Sequence, residues 1–337
     1  PYKNMRHRRL DRDIISLASK INDIDRGISG LGLQKDNTII DKIKRMVKDR
    51  IDTPEELLLY LALKTNQLDE SSTIDTDMYM EMIYVVSAIA SDYGLTELAI
   101  EINNMALMHY DPGMYNWVKG MIDKKIGMQE ESASEYMSAI SARLETILRQ
   151  KIQEAGPEGI NPLDIKVIPR KGPKDFVSIT QKMLEKMKAR GAISNIRNPG
   201  NIFSRIRSGE FHDIVNESFG SITDILGMRI IVSGNNDRAC YYVRSILRDI
   251  FREPDLFYAQ ELLEEHDDYI AKPPKANYMV PPYRGIHMNI ARQAAGKKVN
   301  IEIQIRTGYM DRLSHGVLSD SARKARKAGL KASYMTG

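Results

Sequence analysis

Ser221-Ile-Thr-Asp224-Ile-Leu-Gly-Met228-Arg-Ile-Ile-Val232-Ser233 is the stretch that decides the fold. An acid, Asp224, stands just ahead of the apolar run Met228 to Val232, whose β-branched residues suit a strand buried on both faces. A carboxylate at the mouth of a buried strand needs a reason, and the downstream stretch Asn300 to Thr307 supplies one. There Ile301, Ile303 and Ile305 alternate with Glu302, Gln304 and Arg306. Period two places the isoleucines on one face and the polar trio on the other. With both strands in one sheet, Asp224 and Glu302 converge on one cleft, as a divalent metal and its phosphates require.

The chain of 337 residues has length for two domains, each with its own core. Its composition, 42% hydrophobic and 28% charged, is that of an ordinary soluble protein. No run approaches the roughly 20 apolar residues of a membrane span. Nothing at the start resembles a signal peptide, although a chain that begins at Pro1 leaves targeting open, secretion as an effector included. The single cysteine, Cys240, excludes an internal disulfide and a multi-cysteine zinc site, and it fits a reducing compartment such as the cytoplasm.

The net charge of +4 hides an asymmetry. Residues 1–150 hold 19 Lys+Arg against 24 Asp+Glu, a balance of −5, and the remainder hold 30 against 21, a balance of +9. The second part is the one suited to a nucleotide or RNA.

From Asp11 to Arg149 the apolar spacing is helical, as in Leu57, Leu58, Tyr60, Leu61 and Leu63, or Met80, Ile83, Val86 and Ile89. Thr53-Pro54-Glu55-Glu56 reads as a helix start, with a capping hydroxyl, proline at the first position and acids in the first turn. Gly120, Ala133, Tyr136 and Ala139 weakly resemble one tetratricopeptide unit, but no second copy is in register, so a plain helical hairpin is the expectation. Gly27, Gly30 and Gly32 lack a following Gly-Lys-Ser/Thr and read as a turn rather than a phosphate loop. With only His7 and His109, this half lacks the histidines of a metal-dependent phosphohydrolase.

Gly156 to Pro173 is a break rich in turn formers, and the helix before it, Ser132 to Glu154, is expected to pack on the second domain. The loop Arg170-Lys171-Gly172-Pro173-Lys174 then leads into a helix carrying Lys182, a cationic approach suited to gripping phosphate. Cys240 to Phe251 reads as a helix, and Glu264, Glu265, Asp267 and Asp268 form an acidic cluster. In Ile286 to Ile290 alternation puts His287 and Asn289 on a polar face, and with a tyrosine beside them they suit a nucleobase. Past Asp320 the tail is a basic helix or arm.

These residues resemble the RelA/SpoT-type alarmone synthetases, which move the β,γ-pyrophosphate of ATP onto the 3′-hydroxyl of a guanine nucleotide. Four blocks carry the resemblance: Lys174 with Ser178, Ile179 and Lys182; Asp224 to Val232; Asp268 to Pro273 with Tyr283 to His287; and Glu302 to Thr307. It implies an α+β fold, a mixed, nucleotidyltransferase-like sheet flanked by helices, over residues 129–337. An all-α regulatory or interaction domain, 1–128, would precede it. The resemblance further implies Asp224 and Glu302 at Mg²⁺ and the reacting hydroxyl. Lys174, Ser178 and Lys182 fall on the ATP side, with Arg229 near the adenine and Tyr283 stacked on the acceptor base. Asn277, His287, Asn289, Gln304 and Arg306 line the acceptor side.

Two departures stand out. Gly172 occupies the place where many members carry an adenine-stacking arginine, which leaves Arg170 or Lys171 to substitute. Asn277 and Tyr283 are separated by Tyr-Met-Val-Pro-Pro, so the acceptor loop is altered. GDP or GTP, ADP or ATP, and the 3′ end of tRNA are therefore all acceptors to weigh, since toxin relatives use the latter kinds. An antitoxin or regulator would bind the helical domain. The contrasting reading, from a different class, is a non-catalytic RNA-binding or interaction module. It draws on the +9 half and basic tail, and the two acids oppose it, because acids in a cleft repel phosphate unless a cation intervenes.

Overall fold

The computed structural model describes residues 53–155, 160–193, 199–232, 236–253, 261–271, 284–294 and 296–314, with positions 19, 20, 23, 44–47 and 49–51 ahead of them. By contacts the chain forms two compact units. The first holds the described residues of Pro1–Ser91, Leu95–Tyr115 and Ser194–Glu210, and the second those of Asp92–Gly94, Asn116–Ile193 and Phe211–Gly337. A cut at 128/129 would divide the second unit.

The first unit is helical. Helix α1, Pro54–Asp69, starts as its sequence dictates: Pro54 opens it and Thr53 Oγ1 accepts the Glu56 N–H at 3.2 Å. Its buried stripe is Leu57, Tyr60, Leu61, Lys64 and Leu68. Leu58 and Leu63, expected inside, are 53% and 44% exposed, because residues one and two positions off the stripe turn away from the core. Lys64 is buried because its ammonium meets Glu81 Oε1 at 2.8 Å. Helix α2, Thr76–Glu81, continues through a π-helical turn, Met82–Val86, into α3, Ser87–Asp92. Met80, Ile83, Val86 and Ile89 are buried, as their spacing predicts. Helix α4, Thr96–Tyr110, brings Tyr110 to stack on Tyr79 at 4.3 Å between ring centroids.

Helix α5, Pro112–Ile126, crosses in sequence from the first unit into the second, and a turn at Gly127 joins it to α6, Glu130–Ala155. The remaining elements are β1, Lys166–Pro169; α7, Phe176–Ala189; α8, Pro199–Arg207, in the first unit; α9, His212–Gly220; β2, Leu226–Val232; α10, Asp237–Arg252; β3, Glu261–Asp268; β4, Ile286–Ala294; β5, Lys297–Thr307; and α11, Gly308–Ser314.

The five strands make one mixed sheet in the order β1-β2-β5-β4-β3. Only β2 and β5 run parallel; the other neighbours are antiparallel. Met228, Ile303 and Met288 stand abreast in the register and are buried, so they form the apolar face. Helix α6 covers it at β1 and β2, where Arg149 donates to the Ile165 carbonyl at 2.8 Å and Glu145 Oε2 accepts the Val167 N–H at 2.7 Å. Helix α10 packs against α6 and β5, with Cys240, Val243, Leu247 and Phe251 buried. Burial pushes the Cys240 thiol up to about 12, which leaves it an inert part of this core. Each fully buried isoleucine contributes about 1.5–3 kcal/mol. A one-residue slip of β5 would exchange Ile301, Ile303 and Ile305 for Glu302, Gln304 and Arg306, so the register is firmly specified. The opposite face carries the polar groups.

Gly27, Gly30, Gly32, the loop Tyr278 to Tyr283 and the basic tail lie outside the described residues.

Candidate active site

The register that buries the isoleucines sets Glu302 opposite Gly227 on β2 and Asn289 on β4. One pair further along, Gln304 stands between Arg229 and His287. Asp224 comes from the turn entering β2 and is 8% exposed, against 9% for Glu302. Strand pairing sets Glu302 on the polar face and the turn brings Asp224 beside it, close enough for the Asp224 charge to act on Glu302 and for Arg170 to meet both residues.

Asp224 is ringed by cations. Its Oδ2 accepts from Lys174 at 2.7 Å and from Lys182. Burial alone would raise its pKa, but the charges and hydrogen bonds of Lys174 and Lys182 win and hold the carboxyl well below the usual carboxylate range. Burial pushes Lys174 down and Asp224 counters it, with Lys182 and Arg170 adding repulsion. The lysines reach Asp224 from the start of α7, one in the preceding loop and one two turns along. Asp175 caps this helix, accepting the Ser178 N–H at 2.8 Å, so that amide is already bonded. Ser178 is half-buried, and Lys171 is exposed.

Glu302 sits in a polar relay. Its Oε1 lies 3.1 Å from His287 Nδ1, and its Oε2 accepts from Gln304 Nε2 at 2.6 Å. Gln304 Oε1 accepts from Arg306 at 2.6 Å, and Asp311 then bridges Arg306 and Arg229 at 3.4 and 3.3 Å. Burial raises the Glu302 pKa and Asp224 adds to this, yet His287 and Gln304 outweigh them, so the carboxyl sits below its ordinary value. Tyr269 abuts His287 edge to face at 5.1 Å. Asn289 is 6% exposed, and its Oδ1 is buried with no hydrogen-bond partner among the described residues.

The structure thus brings Lys174, Lys182, Arg170, Asp224, Arg229, His287, Asn289, Glu302, Gln304 and Arg306 to one side of the sheet. Asn277 and Tyr283 lie outside the described residues, and so does any view of the altered acceptor loop. Arg170 differs from the expectation of an adenine-stacking arm. Its Nη1 donates to the Asp224 and Ile225 carbonyls at 3.0 and 3.3 Å, which turns it inward. Gly172 has φ +78°, a conformation that an arginine there would strain, so the position is built for glycine.

Sequence reasoning missed two contributors. Asp311 follows the Thr307 cap of α11, whose Oγ1 accepts the Met310 N–H at 3.1 Å; an acid in the first turn after a strand was the available signal. Lys125 gave no signal. It ends α5 and donates to the carbonyls of Phe219, Gly220 and Ile222 at 3.0, 2.7 and 2.5 Å, just before Asp224.

Among the described residues no group of three His, Cys, Asp or Glu side chains is placed to cage a metal. Both lysine bonds to Asp224 fall on Oδ2, however, and Mg²⁺ is commonly held by one or two carboxylates plus substrate phosphates. Asp224 Oδ1 and Glu302 fit that mode.

Among the described residues no helix is long and apolar enough to cross a membrane. No curated protein matches the chain in sequence. Among solved structures, it is similar to small alarmone synthetase 1 of Bacillus subtilis bound to its product pppGpp: 20% identity over 58% of this chain and 79% of that one, TM-score 0.31. A GTP pyrophosphokinase family protein of Streptococcus pneumoniae matches at 18% identity over 59% and 76%, TM-score 0.32. Small alarmone synthetase 2 of Bacillus subtilis matches at 22% over 45% and 80%, TM-score 0.21. Residues 171–327, which span Lys174 and Lys182, both carboxylates and the relay, match the model of the region found in RelA / SpoT proteins, so this part of the chain carries that region.

Proposed function

We propose that this chain is an ATP-dependent pyrophosphotransferase acting on the 3′-hydroxyl of a nucleotide. The observation that carries the reading is the pair of buried carboxylates, one in the turn entering β2 and ringed by two lysines, the other on the parallel neighbour β5 and held in a hydrogen-bonded relay. The acceptor 3′-oxygen forms a bond to the β-phosphorus. The bond from that phosphorus to the α,β-bridging oxygen breaks, and AMP leaves with the oxygen and its electron pair. Glu302, ionised and oriented by His287 and Gln304, takes the hydroxyl proton. Lys174 and Lys182 neutralise the triphosphate, so catalysis consists mainly of positioning and charge compensation. A Mg²⁺ held by Asp224 and Glu302 with the phosphates would supply further charge neutralisation.

The acceptor side is the polar row of His287, Asn289, Gln304 and Arg306, with Tyr283 and Asn277 contributed by the loop. We favour a mononucleotide acceptor, because the acidic run Glu264 to Asp268 would repel a polynucleotide backbone. The helical residues 1–128 serve regulation, delivery or partner binding, with their acidic balance and no phosphate loop of their own. Incubation with labelled ATP, Mg²⁺ and a panel of GDP, GTP, ADP, ATP and bulk tRNA tests the reading. Acceptor-dependent AMP release with label on a mononucleotide supports it. Label on tRNA alone would move the chain to the toxin-like class, and no transfer to any acceptor would favour a binding module.

A further inference from the structure

Arg170 touches the carriers of both carboxylates. Its Nη1 donates to the backbone carbonyls of Asp224 and Ile225 at 3.0 and 3.3 Å, while its Nη2 lies 3.9 Å from Glu302 Oε2. The guanidinium rests on Gly227: a Cβ built there would meet Nη2 at 3.3 Å, Cζ at 3.4 Å and the Glu302 carbonyl at 3.4 Å. Gly227 and Glu302 are register partners, so the missing side chain on β2 is what lets the cation lie over this pair of strands. The backbone locks the arrangement, with the Arg170 N–H donating to the Gly227 carbonyl at 2.9 Å and the Lys174 N–H to the Ile225 carbonyl at 2.8 Å.

From this geometry we infer that Arg170 is a positioning residue, which sets the turn carrying Asp224 against Glu302 and offsets the repulsion between the two acids. A planar fork can satisfy two carbonyls and face a carboxylate at once; a lysine cannot. Its effect on rate rests on the pyrophosphotransfer reading, whereas its effect on the turn does not.

The test pairs a readout of each kind on the full chain. In Arg170→Ala, amide hydrogen exchange at Lys174, whose acceptor carbonyl Arg170 shares, accelerates about tenfold or more while exchange in α10 is unchanged. Turnover falls at least about tenfold in kcat with the KM for ATP nearly constant. Added guanidinium ion at sub-denaturing concentration restores part of the rate, and Arg170→Lys does not. Gly227→Ala shifts both readouts in the same direction and is non-additive with Arg170→Ala. If wild-type protein is silent toward every acceptor but the exchange effect appears, the reaction reading fails and the positioning role stands. Unchanged exchange at Lys174 overturns the inference, as does a rise in the KM for ATP with kcat intact, which would make Arg170 an ATP contact.

Discussion

Lys125 Nζ donates to the Ile222 carbonyl at 2.5 Å, two residues before Asp224, and the same ammonium binds the carbonyls of Phe219 and Gly220 at the end of α9. Cations at a helix C-terminus are favourable, and here one lysine satisfies three carbonyl groups as the chain turns into β2.

A truncation that removes residues 1–128 deletes this support, whereas one ending at Tyr115 keeps Lys125 and the start of the second unit. Lys125→Met is expected to cost about 1–3 kcal/mol of stability by orphaning carbonyls. It should also lower kcat more than it raises the KM for ATP. Urea melts and steady-state kinetics check both, and a Lys125→Met protein indistinguishable from wild type would show that the turn holds itself.

Lys64 and Glu81 form a buried ion pair in the first unit. Breaking it in Lys64→Met takes the ammonium away from a buried acid and should cost about 3–5 kcal/mol, while the double variant Lys64→Met/Glu81→Met should recover much of the loss. Chemical denaturation of the three proteins gives the answer; a single variant as stable as wild type would mean that water reaches Glu81.

The lysines around Asp224 make a pH prediction with a definite sign. Its carboxyl titrates lower folded than unfolded, so the pair's stabilisation is fully present above its ordinary pKa of 3.8 and is lost as pH falls toward the folded value. In EDTA, the stability difference between wild type and Asp224→Asn should be flat from about pH 5 to pH 8 and shrink below about pH 4. A difference that shrinks already near pH 6 would contradict the lysine ring.

The acceptor side has its own test. Stacking on an aromatic ring contributes roughly 1–3 kcal/mol and tolerates any base. Tyr283→Ala should therefore raise the KM of the acceptor far more than that of ATP. Substitutions at His287 or Asn289 should instead alter the ratio of guanine to adenine acceptors. A Tyr283→Ala protein weakened toward ATP alone would reverse the two nucleotide sides.

The fold was legible wherever period two was clean. The polar row of β5 and the His287–Asn289 face of β4 followed from alternation, and β2 from its β-branched apolar run. Strand β3, Glu-Leu-Leu-Glu-Glu-His-Asp-Asp, shows no such alternation and read only as an acidic cluster; its pairing is supplied by β4 and is irregular between Leu263 and Asp267. β1 is four residues long and ends in Pro169, so it was lost among turn formers. The site divided along the same line. Glu302 was visible on the polar face of an alternating strand and Asp224 as an acid at the entrance of an apolar one, but the pairing of Lys174 and Lys182 with Asp224 depends on how α7 approaches the sheet. Lys125 acts on carbonyls 94 and more positions away, which no local pattern encodes.

The most direct measurement is acceptor-dependent AMP release by wild type and Glu302→Gln, side by side, with the panel of nucleotides and tRNA. Glutamine keeps the size of the side chain and removes its charge, so folding is preserved while proton acceptance is lost. General-base catalysis is worth about 10²- to 10⁴-fold, and the account predicts a loss of at least that order in kcat for Glu302→Gln, with thermal stability close to wild type. A folded Glu302→Gln protein that retains most of the wild-type AMP release would contradict it.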